Sequence, residues 1–263
     1  MYEKQSHRFT FLVYVVIFLC VCICTGLLYL SAAKGVKQQT VNAITQPPLS
    51  ALSSLPEKSE EPMKDDKPEI ILDDITSLDS MTCMLNQLHK ADPEYVPADL
   101  SEVNVPSNGK IMLRAEAAEK LQIMFDEAKK DGIDLYLVSG YRSYQKQTEL
   151  YTYYSKLYGE QEASRMDAVP GISEHMLGLS VDLCTTDHTY ELQDGFATTK
   201  AYEWLCEHAY EYGYILRYPL GKEEATGIEF SPWSFRYVGT SVAKRIYESG
   251  LSMEEYYEVS AHE

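Results

Sequence analysis

Ser173-Glu174-His175-Met176-Leu177-Gly178-Leu179-Ser180-Val181-Asp182 is the stretch on which the reading of this 263-residue chain turns. His175 and Asp182, with six residues between them, are both suitable ligands for a divalent metal such as zinc. Leu177, Leu179, Val181 and Leu183 alternate with Gly178, Ser180 and Asp182, which is the period of a half-buried strand. On a straight strand from residue 175 the two ligands would face opposite sides, because side chains alternate. Gly178 is the place for a bend that brings both onto one site. Taken alone, such a pair is more often a surface histidine and an aspartate closing a strand, so the neighbours decide.

Upstream, residues 134–139 form a compact β-type run that stops at Gly140, and Tyr141-Arg142-Ser143-Tyr144-Gln145-Lys146-Gln147 opens a tyrosine-rich helix reaching about Tyr158. An arginine between strand and helix is well placed to hold a carboxylate bidentately, with Gln147 adding an amide contact. The plainer alternative is an arginine tied into a structural salt bridge. Before that, Leu113, Ala117, Leu121, Met124, Phe125 and Ala128 share one face of an amphipathic helix that Asp131-Gly132 ends. Downstream, residues 199–212 form a helix with Tyr202, Leu205, Cys206 and Ala209 on one face. Residues 214–218 are strand-like, and 242–247 and 253–257 are two closing helices.

The rest of the chain bounds what such a domain can do. A net charge of −17, with no stripe of Lys and Arg, argues against a nucleic-acid partner. Residues 9–30 carry no charge over a length that spans the ~30 Å hydrocarbon layer as a helix. Ser31-Ala32-Ala33 would pass as a cleavage site, but the length of the apolar run favours an uncleaved membrane anchor over residues 1–33. Residues 34–79, rich in Ser, Pro, Asp, Glu and Lys, are expected to be a flexible tether reaching ~35–40 Å. The folded domain is then expected over residues 80–258. Cys83, Cys184 and Cys206 fall in it, and three thiols cannot all pair with one another.

SGYRSYQKQTELY from Ser139, followed by PGISEHMLGLSVDL from Pro170, resembles the zinc-dependent D-alanyl-D-alanine carboxypeptidases of the VanY kind. The likeness continues through Tyr212-Gly213-Tyr214-Ile215-Leu216-Arg217-Tyr218-Pro219 to Pro232-Trp233 and Arg236-Tyr237-Val238-Gly239. It implies an α+β fold, a small, mostly antiparallel sheet flanked by helices around one zinc. It also implies D,D- or L,D-carboxypeptidase chemistry on peptidoglycan stem peptides, at a bacterial cell membrane with the domain on the extracellular side. By the same resemblance His175 and Asp182 match two zinc ligands, while Arg142, Gln147 and Ser173 match positions that hold the substrate's carboxylate and peptide.

One motif departs from the pattern. Where the family reads Glu-Pro-Trp-His, general base first and third zinc ligand last, this chain reads Ser231-Pro232-Trp233-Ser234. Ser231 occupies the general-base position and Ser234 the third-ligand position. A catalytic zinc ordinarily has three protein ligands and one open position. Losing the base alone costs a factor of ~10²–10⁴. Glu229, Cys184 and His188 are the neighbouring groups that could substitute. Three functions are compatible with this: a catalytically impaired domain that still binds stem peptides, an active zinc carboxypeptidase using substitute groups, and a structural or protein-interaction module.

Overall fold

A computed structural model describes residues 73–166 and 169–259. The expected anchor over residues 1–33, and the expected tether up to residue 72, lie outside the described residues. Among the described residues no helix is long and apolar enough to cross a membrane.

A two-stranded antiparallel ribbon, β1 (Leu100–Glu102) and β2 (Met112–Arg114), runs directly into helix α1 (Ala115–Lys130). The helix buries Ala117, Ala118, Leu121, Met124, Phe125 and Ala128, the apolar face that its sequence period lays out. Lys129 and Lys130 sit in its last turn, where the carbonyl end of the helix dipole favours positive charge.

The main sheet has four strands, β3 (Leu135–Ser139), β4 (Ser180–Thr185), β5 (Tyr214–Tyr218) and β6 (Ser231–Tyr237). Their order is β3-β4-β6-β5 and every neighbouring pair is antiparallel. The fold is therefore α+β with small antiparallel sheets. β4 is an inner strand, and Ser180 through Cys184 are all buried. The alternation in its sequence thus marks two covered faces, not the half-buried strand expected. Leu179, Val181 and Leu183 enter the main apolar core, while Ser180, Asp182 and Cys184 on the opposite face are buried as well.

Helices α2 (Tyr144–Tyr158) and α3 (Glu160–Ala163) connect β3 towards β4. Ser143 caps α2 by accepting the Lys146 N–H. After β4 come α4 (Lys200–His208), then α5 (Glu223–Thr226) between β5 and β6. The pair α6 (Thr240–Ser249) and α7 (Met253–Tyr257) closes the fold. These last helices cover a second, smaller apolar cluster built on Met84, Ile215, Val238, Val242, Ala243, Ile246 and Met253.

The packed chain begins earlier than composition indicates. Asp73 accepts from Arg245 Nη2 at 2.6 Å and from the Tyr257 hydroxyl at 3.0 Å. The Asp74 carbonyl accepts from Thr82 Oγ1 at 2.8 Å, and Ile75 packs on the smaller cluster. Residues 73–79, which composition assigns to the tether, are held to the domain by these contacts. Cys83, Cys184 and Cys206 are all free thiols.

Candidate active-site cleft

His175 stands on a 3-10 turn, Glu174–Leu177, which ends at Gly178 in the left-handed region with φ +66°. A Cβ at Gly178 would lie 3.0 Å from Leu100 Cδ2 and 3.3 Å from Arg114 Cγ, so both conformation and space call for glycine. The bend solves the parity problem of the sequence: His175 leaves the turn and Asp182 leaves β4 towards the same point. The His175 Nδ1–H donates to the Gly140 carbonyl at 2.7 Å. A carbonyl can only accept, so this contact turns Nε2 towards Asp182, 3.4 Å from Oδ2. Two ligands on one tetrahedral zinc lie about 3.3 Å apart, given bonds of about 2.0–2.1 Å.

Asp182 is buried among opposing influences. Burial pushes its carboxyl up, but the neighbouring His175 and Arg142 outweigh that and hold it below the ordinary aspartate value. Directly across the β4–β6 ladder stands Ser234, in register with Asp182 and so on the same face. Ser231 lies three residues before it and would face away on a straight strand. However, the β5–β6 register slips between Leu216 and Tyr218, and Pro232, with no N–H to give the ladder, lies within this stretch. Both serines therefore line one cleft of about 430 Å³, together with His175, Asp182, Arg142 and Glu229.

Arg142 follows the end of β3, and its backbone N–H donates to the His175 carbonyl at 3.1 Å, fixing one loop to the other. Its Nη2 reaches Asp182 Oδ2 only at 3.5 Å, and its buried Nε has no hydrogen-bond partner among the described residues. Gln147 and Ser173 are fully buried and are not among the residues lining the cleft. Of the three residues assigned to substrate, Arg142 lines the cleft. The three substitute groups also separate. Glu229 lines the cleft, facing Arg165 Nη1 at 3.5 Å. Cys184 and His188 do not line it and instead gather with Glu191.

Sequence reasoning missed the polar network that supports the turn. Glu174 is 1% exposed and receives Arg217 Nε at 2.7 Å and Nη2 at 3.0 Å, with Arg236 Nη1 at 2.9 Å from its Oε2. Arg217 also donates to both oxygens of the buried Glu254, at 2.9 and 2.6 Å. Burial would raise the Glu174 carboxyl, but Arg217 and Arg236 together hold it down at about 2. The signal was present in Tyr214-Ile215-Leu216-Arg217-Tyr218 and Phe235-Arg236-Tyr237, each an arginine inside an otherwise apolar strand. The aromatic wall of the cleft is Tyr154 and Tyr158, from the tyrosine-rich helix, with Trp233 from the Pro-Trp motif.

The family profile "VanY: D-alanyl-D-alanine carboxypeptidase" matches residues 110–240, from just before β2 to the start of α6. The putative carboxypeptidase YodJ of Bacillus subtilis (strain 168) is 39% identical over 192 residues, covering 71% of this chain and 70% of that protein. This chain belongs to the VanY family. Among solved VanY-like structures, the LD-carboxypeptidase LdcB superposes with a TM-score of 0.65 at 38% identity, covering 70% of this chain and 88% of that one. A vancomycin-resistance D,D-pentapeptidase VanY variant in complex with Zn(II) gives a TM-score of 0.56 at 33% identity, covering 66% and 97%.

Zinc fits this VanY-family cleft incompletely. The spacing and chemistry of His175 and Asp182 suit two bonds to such an ion, and zinc there would supply Lewis acidity to a bound water or carbonyl. Ser234, opposite Asp182, offers only a neutral hydroxyl, and Ser231 places no carboxylate beside the ion. The donor set is two strong ligands and one weak one.

Proposed function

We propose that this VanY-family chain acts at the cell wall as a catalytically impaired carboxypeptidase domain that grips the C-terminal carboxylate of peptidoglycan stem peptides. One observation carries the reading. Arg142 presents a buried, unsatisfied Nε–H at a cleft whose general-base and third-ligand positions hold Ser231 and Ser234. A guanidinium with an open donor edge is suited to a carboxylate, which it holds through two parallel hydrogen bonds. The peptide then lies along Tyr154, Tyr158 and Trp233, close to His175 and Asp182. These two residues hold a divalent ion weakly, and no side chain at Ser231 takes a proton from water.

The name of the matched family supplies D-alanyl-D-alanine as the ligand's end, and the LdcB work ties that relative to peptidoglycan recognition. The charge-free run over residues 9–30 supports placing the domain outside the cell, on a membrane anchor. The test is a comparison of the full-length protein with its Ser231→Glu/Ser234→His variant. The native chain binds a stem peptide ending in D-Ala-D-Ala saturably and releases D-alanine at least about 100-fold more slowly than the variant.

A second reading, an active enzyme with Glu229 as substitute base, draws on the presence of Glu229 in the cleft. It requires zinc bound at one ion per chain and D-alanine release by the native protein that Glu229→Gln abolishes. Absence of any saturable binding up to millimolar peptide would point instead to a structural module.

A further inference from the structure

Cys184, His188 and Glu191 are the trio among the described residues whose donor atoms, one thiol sulfur, one imidazole nitrogen and one carboxylate oxygen, all lie within 4.8 Å of one another. They belong to the end of β4 and the loop after it. Cys184 is fully buried and closes the group from below, donating its S–H to the Thr185 carbonyl at 3.3 Å. His188 and Glu191 close it from the solvent side, with side chains 45% and 36% exposed and a 2.6 Å contact between Nδ1 and Oε2. The His188 ring is held edge-on to Tyr136, with centroids 4.3 Å apart. Asp187, the next acid in the loop, is committed elsewhere, accepting from Thr185 Oγ1 at 2.6 Å and from the Thr189 N–H at 3.0 Å.

The loop backbone is unusual in the same place. His188, Tyr190 and Leu192 have φ of +55°, +59° and +50°, three of the four non-glycine residues with positive φ among those described. A left-handed residue other than glycine costs about 1–2 kcal/mol, and such strain persists where something else fixes the chain.

We propose that Cys184, His188 and Glu191 form a zinc site, separate from His175 and Asp182, that fixes the loop walling the cleft. A thiolate, an imidazole and a carboxylate together suit zinc, whereas the thiolate disfavours magnesium and calcium. Bonds of about 2.0–2.3 Å set the three donors roughly 3.3–3.6 Å apart. His188 Nδ1 and Glu191 Oε2, now 2.6 Å from each other, therefore part slightly, and both draw up to about 1 Å closer to the Cys184 sulfur, within reach of the two exposed side chains. On binding, the thiol proton passes to solvent, and the His188–Glu191 contact is exchanged for two bonds to the ion. Three protein ligands leave one position for water. None of the three lines the cleft, yet Leu192 and Asp194, immediately after Glu191, do. The ion therefore anchors one wall of the peptide site without entering it.

Cobalt(II) titrated into the metal-free full-length protein tests this, because a thiolate ligand gives a sulfur-to-cobalt charge-transfer band in the near ultraviolet. The band is expected to saturate at one ion per chain, to be displaced by zinc, and to survive His175→Ala and Asp182→Ala. Cys184→Ser is expected to abolish it, which also separates it from the other cysteines of the chain. His188→Ala and Glu191→Ala, at exposed positions, are expected to weaken binding at least about tenfold, since even outer-sphere partners are worth about 10–100-fold. The proposal is overturned by absence of the band, by its persistence in Cys184→Ser, by its loss in His175→Ala, or by unchanged affinity in both loop variants. None of these readouts depends on peptide binding or hydrolysis.

Discussion

Replacing Glu174 by Gln removes one charge from the buried cluster beneath the His175 turn and leaves Arg217 and Arg236 short of a counter-ion. The two arginines hold the Glu174 carboxyl at about 2 against an ordinary value of 4.5. At about 1.4 kcal/mol per pH unit that difference is worth roughly 3 kcal/mol, in line with the ~3–5 kcal/mol cost of breaking a buried pair from one side. The sign follows from the depressed value. The stabilisation is complete above about pH 4.5, where the carboxylate is ionised in both folded and unfolded chains, and is lost as pH falls towards 2. For a domain of this size, about 3 kcal/mol lowers Tm by roughly 6–12 °C. The assay is the unfolding midpoint of wild type and Glu174→Gln, in heat or urea, from pH 7 down to pH 2. A large gap at neutral pH should close as the medium becomes acidic, because protonated glutamate and glutamine are then equivalent. A gap below about 1 kcal/mol at pH 7, or one that stays constant down to pH 2, would refute the assignment.

Other outcomes follow from the cleft and its supports. Arg142→Ala should weaken binding of a D-Ala-D-Ala stem peptide about 10–100-fold by calorimetry, with Arg142→Lys in between because an ammonium cannot make the paired contact. Ser234→His alone should tighten zinc binding, measured against a competing chelator, without restoring D-alanine release; adding Ser231→Glu should restore it. Gly178→Ala should cost about 1–2 kcal/mol in urea denaturation and weaken zinc binding in the Ser234→His background, since a Cβ there meets Leu100 and displaces the turn carrying His175.

Much of the architecture was legible because it is written in local patterns. The buried face of α1 follows from the spacing of Leu121, Met124, Phe125 and Ala128, and the break at Gly178 follows from its place between His175 and Asp182. The family motifs cluster where β3, β4 and β6 meet, which is where the cleft lies. What pattern could not supply was long-range. Whether β4 is covered on one face or two depends on its position in the sheet order, which no window of its own sequence contains. The full burial of Gln147 on α2, and of Ser173 before the His175 turn, depends on tertiary packing that local sequence does not contain. The buried network joins Glu174 to Arg217 and Arg236, 43 and 62 positions away, and Arg217 in turn to Glu254, 37 positions on, and in the sequence the two arginines show only as charges in apolar surroundings. The position of His188 beside Cys184 and Glu191 likewise reflects the course of a loop with three left-handed residues, for which the side chains gave no cue.

The hold of Arg245 and Tyr257 on Asp73 has a mechanical consequence. A pull applied at Asp73 is borne by α6 and α7 through Arg245 and Tyr257, by Thr82 through the Asp74 carbonyl, and by the small cluster on which Ile75 packs. The strands carrying Asp182 and the two serines are not among these contacts, so force applied at that point loads the closing helices before it reaches the pocket.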